Sequence, residues 1–224
     1  MKPILFNTEG VKAILDGRKT VTRRVLAYRG LLDKQHALDR EPYKDRTGEW
    51  CFDIQTAVDD YKTYVLNPPC QPGDILYVRE TWSPLYQDKD SKDVRGYMYK
   101  ACTLEEYDKM YPDGKDYQWE GKWRPSIHMP KEAARIFLRV IDVRVERLQD
   151  ITYEGCNAEG FDGVFFEDDT EGLPAIAIRR FSGMWDTTVK KKNIGLFDWD
   201  ANPWVWVIGF ESISREEAEK EEND

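Results

Sequence analysis

Residues 17–24 read Gly17-Arg18-Lys19-Thr20-Val21-Thr22-Arg23-Arg24 and place four cations and two hydroxyls in one short segment. Before this segment, apolar residues recur at i, i+3 and i+4: Val11, Ile14 and Leu15. This spacing predicts a short helix that Asn7 or Thr8 caps and that Gly17 ends. The β-branched residues that follow favour a strand over residues 19–26.

The cationic segment has two interpretations. Side chains at the entry to a strand are held in place and still reach solvent, so residues 17–24 are a candidate floor of a binding or catalytic cleft. Alternatively, the cations form an ordinary solvated edge that discourages pairing with other strands. Lys19 and Thr22 would point to opposite faces of a regular strand. A shared site therefore requires Lys19 to lie in the turn before the strand, or a bulge between the two.

The length and charge of the chain permit a nucleic-acid ligand. The 224 residues suit one domain with insertions, or one and a half domains. The net charge is -9, but residues 216–224 alone hold six acids and one Lys. Two internal segments, residues 17–24 and 121–147, are basic. We expect one basic patch if the fold brings these segments together.

Cysteine and histidine usage argues against a metal site. The four Cys (51, 70, 102 and 156) form no C-x-x-C pair, and the chain has two His. We therefore expect reduced thiols, no metal and no cofactor. The apolar run at the N-terminus is too short for a signal peptide, and no segment approaches the ~20 apolar residues of a membrane span. We expect a cytoplasmic protein without membrane association.

A second strand is predicted over residues 75–82, after the turn Gln71-Pro72-Gly73-Asp74. Its first half has a buried pattern, and its last four residues do not. Arg79, Glu80 and Trp82 are therefore candidate ligand-binding residues at the far end of this strand. The alternative is a surface Arg-Glu pair beside a packed Trp.

A loop at residues 122–130 is fixed by two prolines, each of which favours an extended conformation in the residue before it. It carries a second group of candidate ligand-binding residues: Trp123, Arg124, Ser126 and His128. The alternative for His128 is a local hydrogen-bonding role.

The remaining pattern predicts an α+β protein. Strands are expected at 49–54 and 61–66 (as a hairpin), 97–99, 135–148 and 204–211, the last one central because it is apolar on both faces. The period of the long strand slips at Val140-Ile141, which indicates a bulge or bend. Helices are expected at 103–110, 131–134 (one turn), 153–159 after a cap at Asp150 or Thr152, and 174–189. Residues 161–173 are expected to form an acidic loop, and residues 214–224 an acidic tail that is helical or disordered.

The order of these segments resembles the ASCH domain, a relative of the PUA domain, in the long form found in phage and prophage proteins. The matching blocks are residues 3–26, 69–82, 123–161 and 176–213. The resemblance implies a partly open β-barrel with short flanking helices. It also implies a single domain over residues 1–213, insertions at about 27–68 and 83–122, and the acidic tail 214–224.

One branch of that family consists of small amidohydrolases that remove the acetyl group of N4-acetylcytidine with a Lys, a Thr and a Glu. The resemblance places these on Lys19, Thr22 and Glu159, although this chain is about twice as long and lacks much of the remaining pattern. In this hypothesis Lys19 is the base and Thr22 the attacking hydroxyl, while Glu159 positions Lys19 or passes a proton to the leaving amine. The alternative is a Lys19–Glu159 salt bridge that holds helix and barrel together.

A non-catalytic reading of the resemblance is an RNA-binding or nucleoside-binding cleft. Trp82, Trp123 and Tyr77 are then candidates to stack on a base. The candidate phosphate-binding cations are Arg18, Arg23, Arg24, Arg79 and Arg124, and an Arg could instead stabilise an oxyanion. A third hypothesis is a phage protein that binds a host protein through the insertions and the tail. The sequence leaves the oligomeric state open.

Overall fold

The computed structural model describes residues 1–26, 41–57, 60–87, 93–112, 117–161 and 172–223, and it confirms a mixed α+β fold. The predicted acidic loop lies largely outside the described residues, as do residues 27–40 of the first predicted insertion and parts of the second. The finer expectation of a partly open, PUA-like barrel stays a prediction.

The strands in chain order are β1 (Lys2–Leu5), β2 (Val21–Val25), β3 (Tyr43–Lys44), β4 (Trp50–Ala57), β5 (Asp60–Val65), β6 (Ile75–Arg79), β7 (Trp82–Tyr86), β8 (Val94–Tyr99), β9 (Gln118–Trp119), β10 (Phe137–Arg147) and β11 (Trp204–Ile213). The helices are α1 (Thr8–Leu15), α2 (Leu104–Met110), α3 (Tyr153–Ala158), α4 (Leu173–Thr188) and α5 (Arg215–Asn223).

The chain forms two compact units that alternate along the sequence. Unit 1 comprises residues 1–19, 73–140 and 210–224, and unit 2 comprises residues 20–72 and 141–209. The predicted insertion at 83–122 belongs to unit 1, and the one at 27–68 belongs to unit 2.

Unit 1 is built on two sets of strands. β6 pairs in parallel with β1 and antiparallel with the start of β10, while β7 pairs antiparallel with β8 and β9. α1 confirms the predicted helix, because the Asn7 side chain accepts from the Gly10 N–H at 2.8 Å and Gly17 has φ 72°. The helix predicted over residues 103–110 also forms, as α2, and it begins with a capping box between Thr103 and Glu106.

The single strand predicted over residues 75–82 is two strands. β6 ends at Arg79 and β7 begins at Trp82, and the two pair with different neighbours. Glu80 and Trp82 are buried, contrary to the exposure expected for the end of this strand. The difference arises because Glu80 pairs inward with Arg135, a partner 55 residues away that the local pattern does not reveal.

The acidic tail is a helix that packs on unit 1. Ala218 of α5 is fully buried in an apolar cluster with Ile75, Tyr77 and Phe137. Charged contacts hold the helix, since Glu221 pairs with Arg139. The alternative of a disordered tail is therefore excluded for residues 215–223.

Unit 2 has β11 at the centre of its main set of strands, as predicted. β11 lies between β10 and β2 and pairs antiparallel with β2, with Ile208 opposite Thr22. The predicted hairpin also forms, as β4 and β5. Along β10 the buried positions are Phe137, Leu138, Val140 and Val143, so the alternation of Leu138 and Val140 slips after Val140 as the sequence predicts.

Helix α3 positions one end of the candidate site in unit 2. The Thr152 hydroxyl caps it by accepting from the Gly155 N–H at 3.1 Å, and the helix ends at Glu159 before Gly160, which has φ 92°. α4 packs beside α3, and its Phe181 and Trp185 share an apolar cluster with Cys156. Among the described residues, none of the helices has the length and apolar character needed to cross a membrane.

Candidate functional site

The three residues of the predicted catalytic triad are all buried. Lys19, Thr22 and Glu159 are 7%, 4% and 6% exposed. Lys19 is the last residue of the first segment of unit 1, and Thr22 and Glu159 belong to unit 2. Because burying polar or charged groups is unfavourable unless they have partners, the burial of all three indicates a specific role.

Lys19 lies in the turn before β2, which is the position that a site shared with Thr22 requires. Its N–H donates to the Ala13 carbonyl at 2.9 Å, and its ammonium lies 5.7 Å from the centre of the Phe6 ring. Thr22 is the second residue of β2. Lys19 is thus held by the end of α1, and the regular strand begins only after it.

A backbone hydrogen bond in unit 2 joins the start of the β2 segment to helix α3. The Thr20 N–H donates to the Ala158 carbonyl at 2.9 Å. Thr20 follows Lys19 in the chain, and Ala158 precedes Glu159. This bond fixes the end of α3, and with it Glu159, against the chain that leads into Thr22.

Arg23 is the charged partner of Glu159. Its Nη1 lies 3.3 Å from Glu159 Oε1, and its Nη2 lies 3.2 Å from Glu146 Oε2. The Arg23 side chain is 2% exposed, its guanidinium lies 5.9 Å from the centre of the Phe181 ring, and its Nε has no hydrogen-bond partner among the described residues. Arg23 was predicted to contact phosphate, and this burial leaves no open path to it.

A row of charged side chains continues from Glu146 along β10 to the surface. Glu146 also accepts from Arg144 Nε at 2.6 Å, and Arg144 Nη1 lies 3.0 Å from Asp142 Oδ2. From the surface inward, the charged side chains are Asp142, Arg144, Glu146, Arg23 and Glu159. Their charges alternate in sign, and the inner two side chains are almost fully buried.

Two further titratable groups lie beside Glu159. Burial lowers the pKa of Arg24, and the negative charge of Glu159 opposes that shift. Burial raises the pKa of the Cys156 thiol to about 11, with Arg23 opposing the shift and Glu159 adding to it. Arg24 is therefore a second cation that acts on the Glu159 carboxylate.

In unit 1, the predicted ligand-binding residue Glu80 lies in a saturated ion pair. Its two oxygens accept from Arg135 Nε at 2.9 Å and Nη2 at 3.1 Å, and it is 1% exposed. The Arg135 guanidinium also lies 4.4 Å from the centre of the Tyr99 ring and donates to Cys102 Sγ at 3.0 Å. Desolvation raises the pKa of Glu80, and Arg135 opposes that shift.

The aromatic rings expected to stack on a base are mostly enclosed. Trp82 and Tyr77 are 5% and 7% exposed, so neither ring offers an open face. Arg79 lies 5.5 Å from the centre of the Tyr77 ring and donates to the Ile127 carbonyl at 3.3 Å. Trp82 Nε1 and Arg79 Nε are buried donors without a partner among the described residues.

The loop at 122–130 presents its candidates more openly. Trp123 is half-buried beside the exposed Trp119, with ring centres 5.3 Å apart. Arg124 is held by Glu120 at 3.1 Å and by the Tyr86 hydroxyl at 3.2 Å. Trp123 of this loop and Trp119 of β9 thus form an accessible aromatic pair.

The remaining candidates lie near the surface. Ser126 and His128 bound one turn of 3-10 helix, where His128 is exposed and Ser126 half-buried. Arg18 pairs with Asp16 at 2.7 Å.

Sequence reasoning did not single out Glu146, Arg144 or Arg135. Asp142, Arg144 and Glu146 alternate at i, i+2 and i+4 along β10, which places their side chains on one face of the strand. That pattern was available in the sequence. The pairing of Glu146 with Arg23 was not, because 123 residues separate them.

Comparisons with known proteins add no assignment. No protein-family model, curated protein or solved structure matches the chain. Among the described residues, no group of three or more His, Cys, Asp or Glu side chains has the arrangement of a metal site.

Proposed function

We propose that the protein is an ASCH-type, PUA-like amidohydrolase that acts on an N4-acylated cytosine, as a nucleoside or within RNA. The supporting observation is the burial of Lys19, Thr22 and Glu159, which are three of the six polar or charged residues buried among those that the structure describes. The sequence resemblance supplies the reaction class, and the proposed roles follow from the chemistry of the three groups.

In the proposed reaction, the Thr22 hydroxyl attacks the acyl carbonyl carbon while the Lys19 amine takes its proton. Desolvation favours the neutral form of an amine, which is the form that accepts a proton. The tetrahedral intermediate then expels the exocyclic amine of cytosine, which takes the proton from Lys19. Water hydrolyses the resulting Thr22 ester and regenerates the hydroxyl.

Glu159 is proposed to orient the reacting groups as a carboxylate. A carboxylate accepts hydrogen bonds on both oxygens and can therefore hold more than one donor in place. Arg23 contacts Glu159 Oε1 at 3.3 Å, and the charge of Arg24 also acts on this carboxylate.

The test is deacylation of a panel of N4-acylated cytosines and cytidines, followed by absorbance, with wild-type protein and three variants. We expect turnover by the wild type, and none by Lys19→Ala or Thr22→Ala. Thr22→Ser keeps a hydroxyl and is expected to restore part of the activity. Absence of turnover on every member of the panel with folded wild-type protein would overturn the enzymatic proposal.

A second candidate is RNA binding without chemistry, and the Trp119–Trp123 pair favours it. Both rings reach the surface, and the exposed Lys122 lies between them in the chain. Stacking on an aromatic ring contributes ~1 to 3 kcal/mol per base. We expect Trp119→Ala and Trp123→Ala to weaken binding of single-stranded RNA, and the affinity to fall steeply as salt rises. Affinity unchanged in both variants contradicts this candidate.

Binding to a host protein through the acidic tail receives less support. The tail helix α5 uses Glu221 and Glu222 for contacts with Arg139 and Lys131 of its own unit.

A further inference from the structure

We propose that Arg23 is a positioning residue for Glu159, and that Glu146 controls how Arg23 acts by holding the other end of its guanidinium. The inference rests on the proposed function, because Glu159 belongs to the proposed site. It adds two residues, Arg23 and Glu146, whose contribution would be exerted through Glu159 and not through the substrate.

The geometry of the guanidinium carries the argument. Glu159 and Glu146 contact different terminal nitrogens, Nη1 at 3.3 Å and Nη2 at 3.2 Å. The guanidinium is planar and its N–H donors have fixed directions. Two carboxylates on separate nitrogens therefore define its orientation, and a change at one end alters the hydrogen bond at the other.

The surroundings leave Arg23 little freedom to move. The Phe181 ring lies on one side of the guanidinium, at 5.9 Å. Gly155 of α3 lies on another, and a Cβ at that position would be 3.2 Å from Arg23 Nη2 and 3.0 Å from Ile151 Cγ1. The absence of a side chain at residue 155 thus admits the guanidinium in its observed place.

The hydrogen bonding of Arg23 is poorly suited to a purely structural ion pair. Its charge is divided between two carboxylates through one bond each, and its buried Nε has no partner among the described residues. A buried ion pair with incomplete hydrogen bonding contributes little to stability, because desolvation offsets the attraction. The arrangement instead fixes the direction and charge of Glu159.

The charged and titratable groups around Glu159 predict how Glu146 acts. Arg23 and Arg24 come from β2, Cys156 comes from α3, and Glu146 of β10 acts across Arg23. Neutralising Glu146 removes a competing negative charge and leaves the Arg23 charge to Glu159. The Arg23–Glu159 contact should then change, because Arg23 is no longer shared between two carboxylates.

The experiment compares Glu146→Gln with Asp142→Asn in the full chain. Both substitutions neutralise one acid on β10, but Asp142 contacts Arg144 and not Arg23. The first readout is the NMR chemical shift of the Glu159 carboxyl carbon at a fixed pH, assigned with Glu159→Gln. The second is kcat/KM on N4-acetylcytidine.

We expect both readouts to change in Glu146→Gln and to change much less in Asp142→Asn. Equal changes in the two variants would show a general charge effect, and no change in either would show that Glu146 does not act on Glu159. Each of these results overturns the inference. If the NMR signal of Glu159 shifts as expected while the wild type has no turnover, the positioning role stands and the amidohydrolase proposal fails.

A second pair of variants tests the same role without changing any charge. Gly155→Ala places a methyl group against Arg23 Nη2, whereas Gly183→Ala in α4 meets no atom within 4 Å. Alanine has a higher helix propensity than glycine, so neither substitution disfavours its helix intrinsically. We expect kcat to fall about tenfold or more in Gly155→Ala, since small misplacements at a reacting centre have large effects, and the NMR signal of the Glu159 carboxyl carbon to shift. Unchanged values in Gly155→Ala, or equal losses in both variants, contradict the positioning role.

Discussion

Among the described residues, each unit encloses a buried glutamate that pairs with an arginine, and the two pairs differ in how the guanidinium is shared. In unit 1, Arg135 donates two hydrogen bonds to Glu80, at 2.9 Å and 3.1 Å, and its guanidinium also contacts Tyr99 and Cys102. In unit 2, Arg23 divides its guanidinium between Glu159, at 3.3 Å, and Glu146, at 3.2 Å.

The difference separates a structural pair from a candidate functional one. A two-pronged guanidinium–carboxylate contact saturates both groups and fixes the chain on either side of it. In a divided contact, a change at one carboxylate alters the hydrogen bond from the same guanidinium to the other. We therefore assign the Glu80–Arg135 pair to the fold of unit 1 and the Arg23–Glu159 pair to the proposed site.

The largest expected effect is the loss of stability in Glu80→Ala. This substitution leaves Arg135, 18% exposed, without its carboxylate. Removal of one partner from a buried pair typically costs about 3–5 kcal/mol. Urea unfolding measures the free energy of unfolding directly. A loss below ~1 kcal/mol would mean that the pair is not structural.

Glu159→Ala is expected to lower the free energy of unfolding less, by about 1–3 kcal/mol, the value of a hydrogen bond to a charged group. The reason is that Arg23 keeps its second carboxylate, Glu146. The same urea experiment checks it, with Glu80→Ala as the matched variant. If Glu159→Ala proves the more destabilising of the two, the assignment of roles is reversed.

The N-caps of two helices allow the same comparison between the units, because loss of a cap typically lowers the free energy of unfolding by about 1 kcal/mol. Thr103 caps α2 of unit 1, and Thr152 caps α3 of unit 2, which carries Glu159 at its end. Thr103→Ala and Thr152→Ala should lower stability by similar amounts. Only Thr152→Ala should also lower turnover per folded molecule, and equal turnover in the two variants would contradict a positional role for α3.

The smallest expected effect is a pH dependence of the contribution that Glu80 makes to the free energy of unfolding. Folding raises the pKa of Glu80 above its ordinary value of 4.5 because the carboxyl group is desolvated. A group with a raised folded-state pKa contributes stability that is complete below the unfolded-state value and declines as pH rises through the folded-state value. Wild-type stability minus that of Glu80→Gln should therefore fall as pH rises above about 4.5, which urea titrations at several pH values measure. A difference that grows with pH would show that Arg135 outweighs desolvation.

The local sequence predicted most of the elements but not the partners of the buried charges. The helix 153–159, its Thr152 cap and the central strand at 204–211 follow from spacing and β-branching, which act over a few residues. The break between β6 and β7 does not, because Arg135 draws Glu80 inward from a distant point in the chain.

In the candidate site too, the sequence predicted some positions but not the partners of the buried charges. The resemblance pointed to Lys19, Thr22 and Glu159, all of which are buried, and a shared site required either a turn position for Lys19 or a bulge. It also assigned Arg23 to a phosphate and Trp82 and Tyr77 to a base, whereas the fold encloses all three side chains. Residue type alone cannot separate an exposed cation from one that pairs with two carboxylates.

The most direct test makes the same Arg-to-Lys substitution in each pair, as two separate variants. Turnover of N4-acetylcytidine and the free energy of unfolding are measured for both variants. Arg23→Lys and Arg135→Lys each keep the charge and remove the fork of donors. We predict that Arg23→Lys lowers kcat/KM about 100-fold through misplacement of Glu159 with little loss of stability. Arg135→Lys should lose more stability and keep its kcat/KM per folded molecule. Equal losses of turnover in the two variants, or full turnover in Arg23→Lys, would contradict the account.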